Sequence, residues 1–162
     1  MPTTSITDGA ERTLLENTLD RNREALIETA RGLSEADARR RLVASLTTPI
    51  SLLKHAAAAE RIWFQRFWAG LSEAECDGYS ARDKGTFAVE DDESLADVIA
   101  EFERASRRSR EIAARFDLDD TKDIPGEGTI SLRWTLLAMI EEFARHAGHG
   151  DILREQIDQP TS

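Results

Sequence analysis

The chain has 162 residues, 40% apolar and 32% charged, with a formal net charge of -10. This is enough length to bury a core without covalent staples, and the balance is that of a soluble globular protein rather than a disordered one. The acidic surface excludes a phosphate-backbone partner such as DNA or RNA, and the single cysteine, Cys76, excludes an intrachain disulfide.

The N-terminus "MPTTSITDGAERTLLENTLD" has no basic start and no continuous apolar stretch, so no signal peptide is expected. No segment reaches the roughly 18 to 20 uninterrupted apolar residues of a membrane span. These readings point to a cytoplasmic protein with no membrane partner. The first helix is expected from near Asp8, carrying Leu14, Leu15, Leu19, Leu26 and Ile27, and ending at Gly32. "LSEADARRRL" then makes a turn or a helical stub. The second helix is capped by Thr48, has Pro49 at its first position and stops at Gly70. From Leu71 to Asp92 the chain is rich in Gly, Ser and acids without sustained periodicity, which reads as a long connection containing Cys76 as an incidental residue. Ser94 caps the third helix, with Asp97 at the capping-box position. Its segment "RASRRSRE" is interleaved with acids at helical spacing and reads as a solvated face. Pro125 and two glycines break that helix, and no β alternation or hairpin signal is evident there. The fourth helix runs from near Ser131 to about Ile157.

These elements make an all-α chain: one domain over residues 1–162, a four-helix bundle with a long crossover between the second and third helices. All three histidines fall on two of the helices. On the fourth, a turn of about 100° per residue puts His146 inside the apolar arc of Leu132, Leu136, Met139, Ile140, Phe143 and Leu153. Glu142 lies at the edge of that arc and His149 about 60° beyond His146, on the polar side. On the second helix His55 sits at the margin of the face made by Leu52, Ala59, Ile62 and Trp63, followed by four small alanines.

Side chains at i and i+4 share a helix face, so Glu142 and His146 are placed to grip one ion together, with His55 from another helix as a third ligand. One carboxylate and two imidazoles suit Zn²⁺, Ni²⁺ or Fe²⁺ and leave positions open, a catalytic rather than a structural pattern. The competing reading is a Glu–His hydrogen bond on a helix surface. His149 is the alternative third ligand. Glu60, within the apolar face of the second helix, either orients a ligand imidazole or pairs with an arginine such as Arg133 or Arg145. Of Trp63, Phe64, Phe67 and Trp68, helical spacing makes at least two core residues, and none is assigned as a binding box.

"LLKHAAAAERIWF" and "MIEEF" followed by "ARHAGHGDILRE" resemble the DinB-like superfamily of metal-dependent four-helix bundles, and the resemblance covers essentially the whole chain. The likeness is greatest to its mycothiol-dependent S-transferase branch, related to the mycothiol-dependent maleylpyruvate isomerases and the YfiT-like bacillithiol transferases. The family places one His on the second helix, matched by His55, and an H-x-x-x-H pair on the fourth. His146 matches the second member of the pair. Glu142 stands where the commonest form has His, as in the maleylpyruvate isomerase pattern. The resemblance implies a divalent metal, zinc foremost with nickel or iron as alternatives, and a mycothiol-like thiol attacking an electrophile. The preference for Arg over Lys, with Lys54, Lys84 and Lys122 the only lysines, is compatible with a GC-rich genome such as mycothiol users often have. Two rival classes stay open: a non-enzymatic, stress-related bundle, and a metal-dependent hydrolase using bound water. Beyond the ligands, no catalytic or cofactor-binding residue is assigned. A homodimer through an exposed apolar helix face is compatible with the sequence, although no heptad seam marks it.

Overall fold

The computed structural model describes residues 2–159. Its elements are α1 (Glu11–Ala30), α2 (Glu35–Ala38), α3 (Pro49–Glu60), α4 (Leu95–Ala113), the strands β1 (Thr121–Ile124) and β2 (Gly128–Ser131), and α5 (Leu132–Asp158). The fold is therefore all-α with one small hairpin. Among the described residues no helix is long and apolar enough to cross a membrane.

The local causes of these helices are largely the expected ones. Thr48 and Ser51 exchange side-chain and backbone hydrogen bonds in a capping box at the start of α3, with Pro49 where its missing N–H costs nothing. Ser94 and Asp97 do the same for α4, and the Ser131 hydroxyl accepts from the Trp134 N–H at the start of α5. The stub is α2, capped by Ser34. The first helix begins at Glu11 rather than near Asp8, because the Asp8 carboxylate is taken by the Gly9 N–H (2.8 Å) and Ala10 starts the helix without a side-chain cap.

Two segments depart from expectation. The second helix is α-helical only to Glu60 and then continues as a π-helix over Arg61–Trp68, where the Ala69 N–H donates to the Phe64 carbonyl (2.8 Å). The wider winding turns Arg61, Phe64, Gln65 and Trp68 inward together. The segment after α4, read from sequence as a plain break, folds into the β1–β2 hairpin, with Thr121 opposite Ser131 and Ile124 opposite Gly128. Its turn has Pro125 at the second position and Gly126 at the third with φ of 82°, closed by the Glu127 N–H to the Ile124 carbonyl (3.0 Å). That is a type II turn, which needs a positive φ at the glycine.

α1 packs chiefly on α5, and α3 on α4. α3 is apolar on nearly all sides, with Ile50, Leu52, Leu53 and Ala56–Ala58 buried, as befits a central helix. Phe64, Trp68, Phe102 and Phe143 complete the core beside them. Gly150 allows a close approach of α5 to α1, since a Cβ there would lie 2.5 Å from Thr29 Oγ1. Two buried arginines brace the same core through ion pairs. Arg23 of α1 holds Glu60 through Nε (2.6 Å) and Nη2 (3.0 Å), and Arg61 holds Asp77 (2.5 Å) and Glu101 (2.8 Å).

Candidate metal centre

His55 sits in the middle of α3, and Glu142 and His146 lie one turn apart on α5. The packing of α3 beside α5 brings the three to one point. Glu142 Oε1 lies 2.8 Å from His55 Nε2 and 2.9 Å from His146 Nε2. One ligand-type atom from each residue falls within 4.8 Å of the others. The imidazoles are mostly covered, while the carboxylate is about one-third exposed and opens the cluster to a cavity. Hydrogen bonds from His146 and then His55 hold the Glu142 carboxyl far below the usual carboxylate range, against the opposing effect of burial.

The crossover supplies the remainder of the site. A 3₁₀ turn, Lys84–Phe87, packs on α3. Thr86 Oγ1 is 2.9 Å from His55 Nδ1, and Phe87 stacks on the His55 ring with centroids 4.2 Å apart and planes 8° from parallel. Thr86 Oγ1 also lies 3.1 Å from the Asp83 carbonyl, so the hydroxyl is anchored to the crossover while it holds His55 Nδ1 and leaves Nε2 facing the Glu142 oxygen 2.8 Å away. Two imidazole nitrogens and one carboxylate oxygen are a donor set that suits zinc and its neighbours. The residues present therefore fit a divalent ion.

The structure brings His55, Glu142 and His146 together and sets His149 behind them. His149 is exposed, and its Nδ1 faces His146 Nδ1 at 3.3 Å, on the side of the ring away from Glu142. Glu60 lies elsewhere. Its carboxylate is bound by Arg23 and by the Ser106 hydroxyl (3.3 Å), so it is an ion-paired core group, with neither Arg133 nor Arg145 as partner and no hydrogen bond to a ligand imidazole. A fully buried carboxylate takes the cation best able to be buried with it, and Arg23 on the adjoining α1 is 5% exposed. Phe64 and Trp68 are core residues, as helical spacing requires, while Trp63 is half-buried and lines the cavity.

That cavity, about 640 Å³, opens beside the three residues. Its walls are apolar where the π-helix and α5 face it through Ile62, Trp63 and Met139, and charged where the crossover does, through Arg82, Asp83 and Lys84. The Arg82 guanidinium rests on the Trp63 ring, 4.9 Å from its centroid. Thr86, Phe87 and Arg82 escape sequence reasoning because their segment has no periodicity to phase them; a capping Asp83 before "KGTF" is the one local signal there.

No curated protein matches this sequence. A family model does, over residues 14–159, almost the whole chain and all three convergent residues. Its description is Mycothiol-S-transferase, which bears out the resemblance carried by the histidine motifs, and the chain belongs to the mycothiol S-transferase family.

Proposed function

We propose that this protein is a metal-dependent thiol S-transferase in which His55, Glu142 and His146 hold a divalent ion, zinc foremost. One observation carries the reading: His55 Nε2 and His146 Nε2 both face Glu142 Oε1, at 2.8 Å and 2.9 Å, and one ligand-type atom from each of the three residues lies within 4.8 Å of the others. Bound there, the ion would supply the positive charge that favours a thiolate over a thiol near neutral pH. The chain's own groups do the rest. Thr86 and Phe87 fix the His55 ring, one by a hydrogen bond and one by stacking. Ile62, Trp63 and Met139 give the electrophile an apolar wall that keeps competing water away. The thiol loses its proton to solvent, and the sulfur forms a bond to the electrophilic carbon, either expelling a leaving group or, in an addition, breaking a π bond whose far atom takes a proton from solvent.

Family membership weighs for a thiol rather than water as the nucleophile, and for an enzyme rather than a stress-related scaffold. The four long helices, α1, α3, α4 and α5, are read as a single DinB-like bundle domain, supported by the packing of α1 on α5 and α3 on α4. The test is elemental analysis of the purified protein beside His55→Ala and His146→Ala. The expected result is close to one divalent ion per chain, lost in both variants, together with metal-dependent conjugation of mycothiol to chlorodinitrobenzene. Unchanged metal content in the variants would overturn the ligand set, and conjugation that survives full metal removal would overturn the role given to the ion.

A further inference from the structure

Next to the metal centre is a second cavity, of about 470 Å³, that the reading above does not use. It lies between the π-helix, the crossover and the hairpin, and shares Ile62 and Arg82 with the first cavity. The two therefore adjoin at Ile62 and Arg82, and Arg82 also rests on Trp63 of the first. The chemistry of their walls differs. The second has an aromatic ring, Phe67, with the guanidinium of Arg66 and the carboxylates of Glu73 and Asp123 around it. It also contains Ser80, which is 5% exposed and whose Oγ has no hydrogen-bond partner among the described residues. A buried hydroxyl without a partner is uncommon in a folded protein and points to a group that arrives later.

Hydroxyl groups on a carbon ring are what this set recognises. Carboxylates accept from them, a guanidinium and a serine hydroxyl donate to them, and an aromatic face packs against the C–H side of the ring. Arg66 is already paired with Glu73 (2.9 Å) and Asp123 accepts from the Thr129 hydroxyl (2.7 Å), yet both keep unused capacity: a guanidinium has five donors and a carboxylate about four acceptor sites. We propose that this cavity is the subsite for the polyhydroxylated body of the thiol cosubstrate, whose sulfur end reaches past Arg82 to His55, Glu142 and His146. This rests on the transferase reading. Mycothiol has the required shape, a cysteine thiol at one end and a sugar–cyclitol pair at the other. The apolar first cavity is then left to the electrophile.

Two measurements test it, using Asp123→Ala and Arg66→Ala, both at solvent-accessible positions outside the metal cluster. The first compares KM for mycothiol with KM for N-acetylcysteine, which has the thiol and no polyol, against chlorodinitrobenzene. The expected result is a rise of about tenfold or more for mycothiol, the loss of one hydrogen bond to a charged group, with N-acetylcysteine unchanged. Equal effects on both thiols, or a rise confined to the electrophile, would overturn the assignment. The second measures binding of the thiol-free sugar–cyclitol fragment by calorimetry, with circular dichroism confirming the fold of each variant. Binding to the wild type that is lost in Asp123→Ala supports the subsite even in a protein that conjugates nothing. A fragment that does not bind the wild type sinks the subsite while leaving the metal reading to its own test.

Discussion

The hydroxyl of Thr86 engages Nδ1 of His55 and leaves Nε2 to face Glu142. It also lies within hydrogen-bond distance of the Asp83 carbonyl, and it is itself buried, so water is poorly placed to substitute. Thr86→Val keeps the shape and removes the hydroxyl. The expected outcome is metal affinity weaker by roughly 10- to 100-fold, the usual consequence of losing such an outer hydrogen bond, while Thr86→Ser retains it. Competition with a zinc chelator reads the affinity, and an unchanged value in the valine variant would mean that Thr86 does not set the ring. His55, Glu142 and His146 were legible in the sequence because a helix phases its residues, and a spacing of four puts a carboxylate above an imidazole. Thr86 was not, since a residue in an aperiodic loop takes its position from the tertiary packing of that loop on α3.

At the scale of elements, helix starts were the most legible feature, because Thr48, Ser94 and Ser131 cap by short-range hydrogen bonds that sequence order alone determines. The hairpin was obscured by strands of four residues each, too short for alternation to stand out, although "PGEG" carries the turn chemistry. The π-helix was not legible at all, since over two turns its winding is hard to distinguish from 3.6 residues per turn by apolar pattern. Two glycines of α5 show how packing overrides propensity. At Gly148 a Cβ would meet nothing within 4 Å, whereas at Gly150 it would meet Thr29 Oγ1 at 2.5 Å and Cβ at 2.8 Å. Gly148→Ala is expected to be neutral or to stabilise by up to about 1 kcal/mol through helix propensity. Gly150→Ala is expected to destabilise by about 1 to 3 kcal/mol, since α5 must move away from α1. Thermal denaturation of the two variants tests this; equal shifts would show that the α1–α5 contact is not tight.

For the whole molecule, the crossover between the π-helix and α4 supplies Thr86 and Phe87 to the site, although few of its side chains are buried. Ion pairs tie both its ends to the helices: Asp77 to the buried Arg61 at the start, and Glu93 to the half-buried Lys54 at the finish, with Lys54 also on Glu101 (2.8 Å). Burial opposes the charged form of Asp77, Glu93 and Lys54 alike. The hydrogen bonds outweigh it, lowering the two carboxyls below their ordinary values and raising the Lys54 ammonium above its own. A lowered carboxyl pKa adds stability that is fully present above the ordinary carboxylate range, about 4, and is lost as pH falls through the lowered value. The Lys54 contribution is present below the ordinary lysine value, about 10.4, and is lost only as pH rises through the raised one. Between these limits both tethers are charged. Acid below about 4 is therefore expected to release the crossover, and with it Thr86 and Phe87 from His55, before the helices separate. Hydrogen exchange corrected for intrinsic rates tests this. Amides of residues 77–93 are expected to lose protection at a higher pH than those of α1 and α5. Simultaneous loss would mean that the crossover is held by the apolar core rather than by its charges.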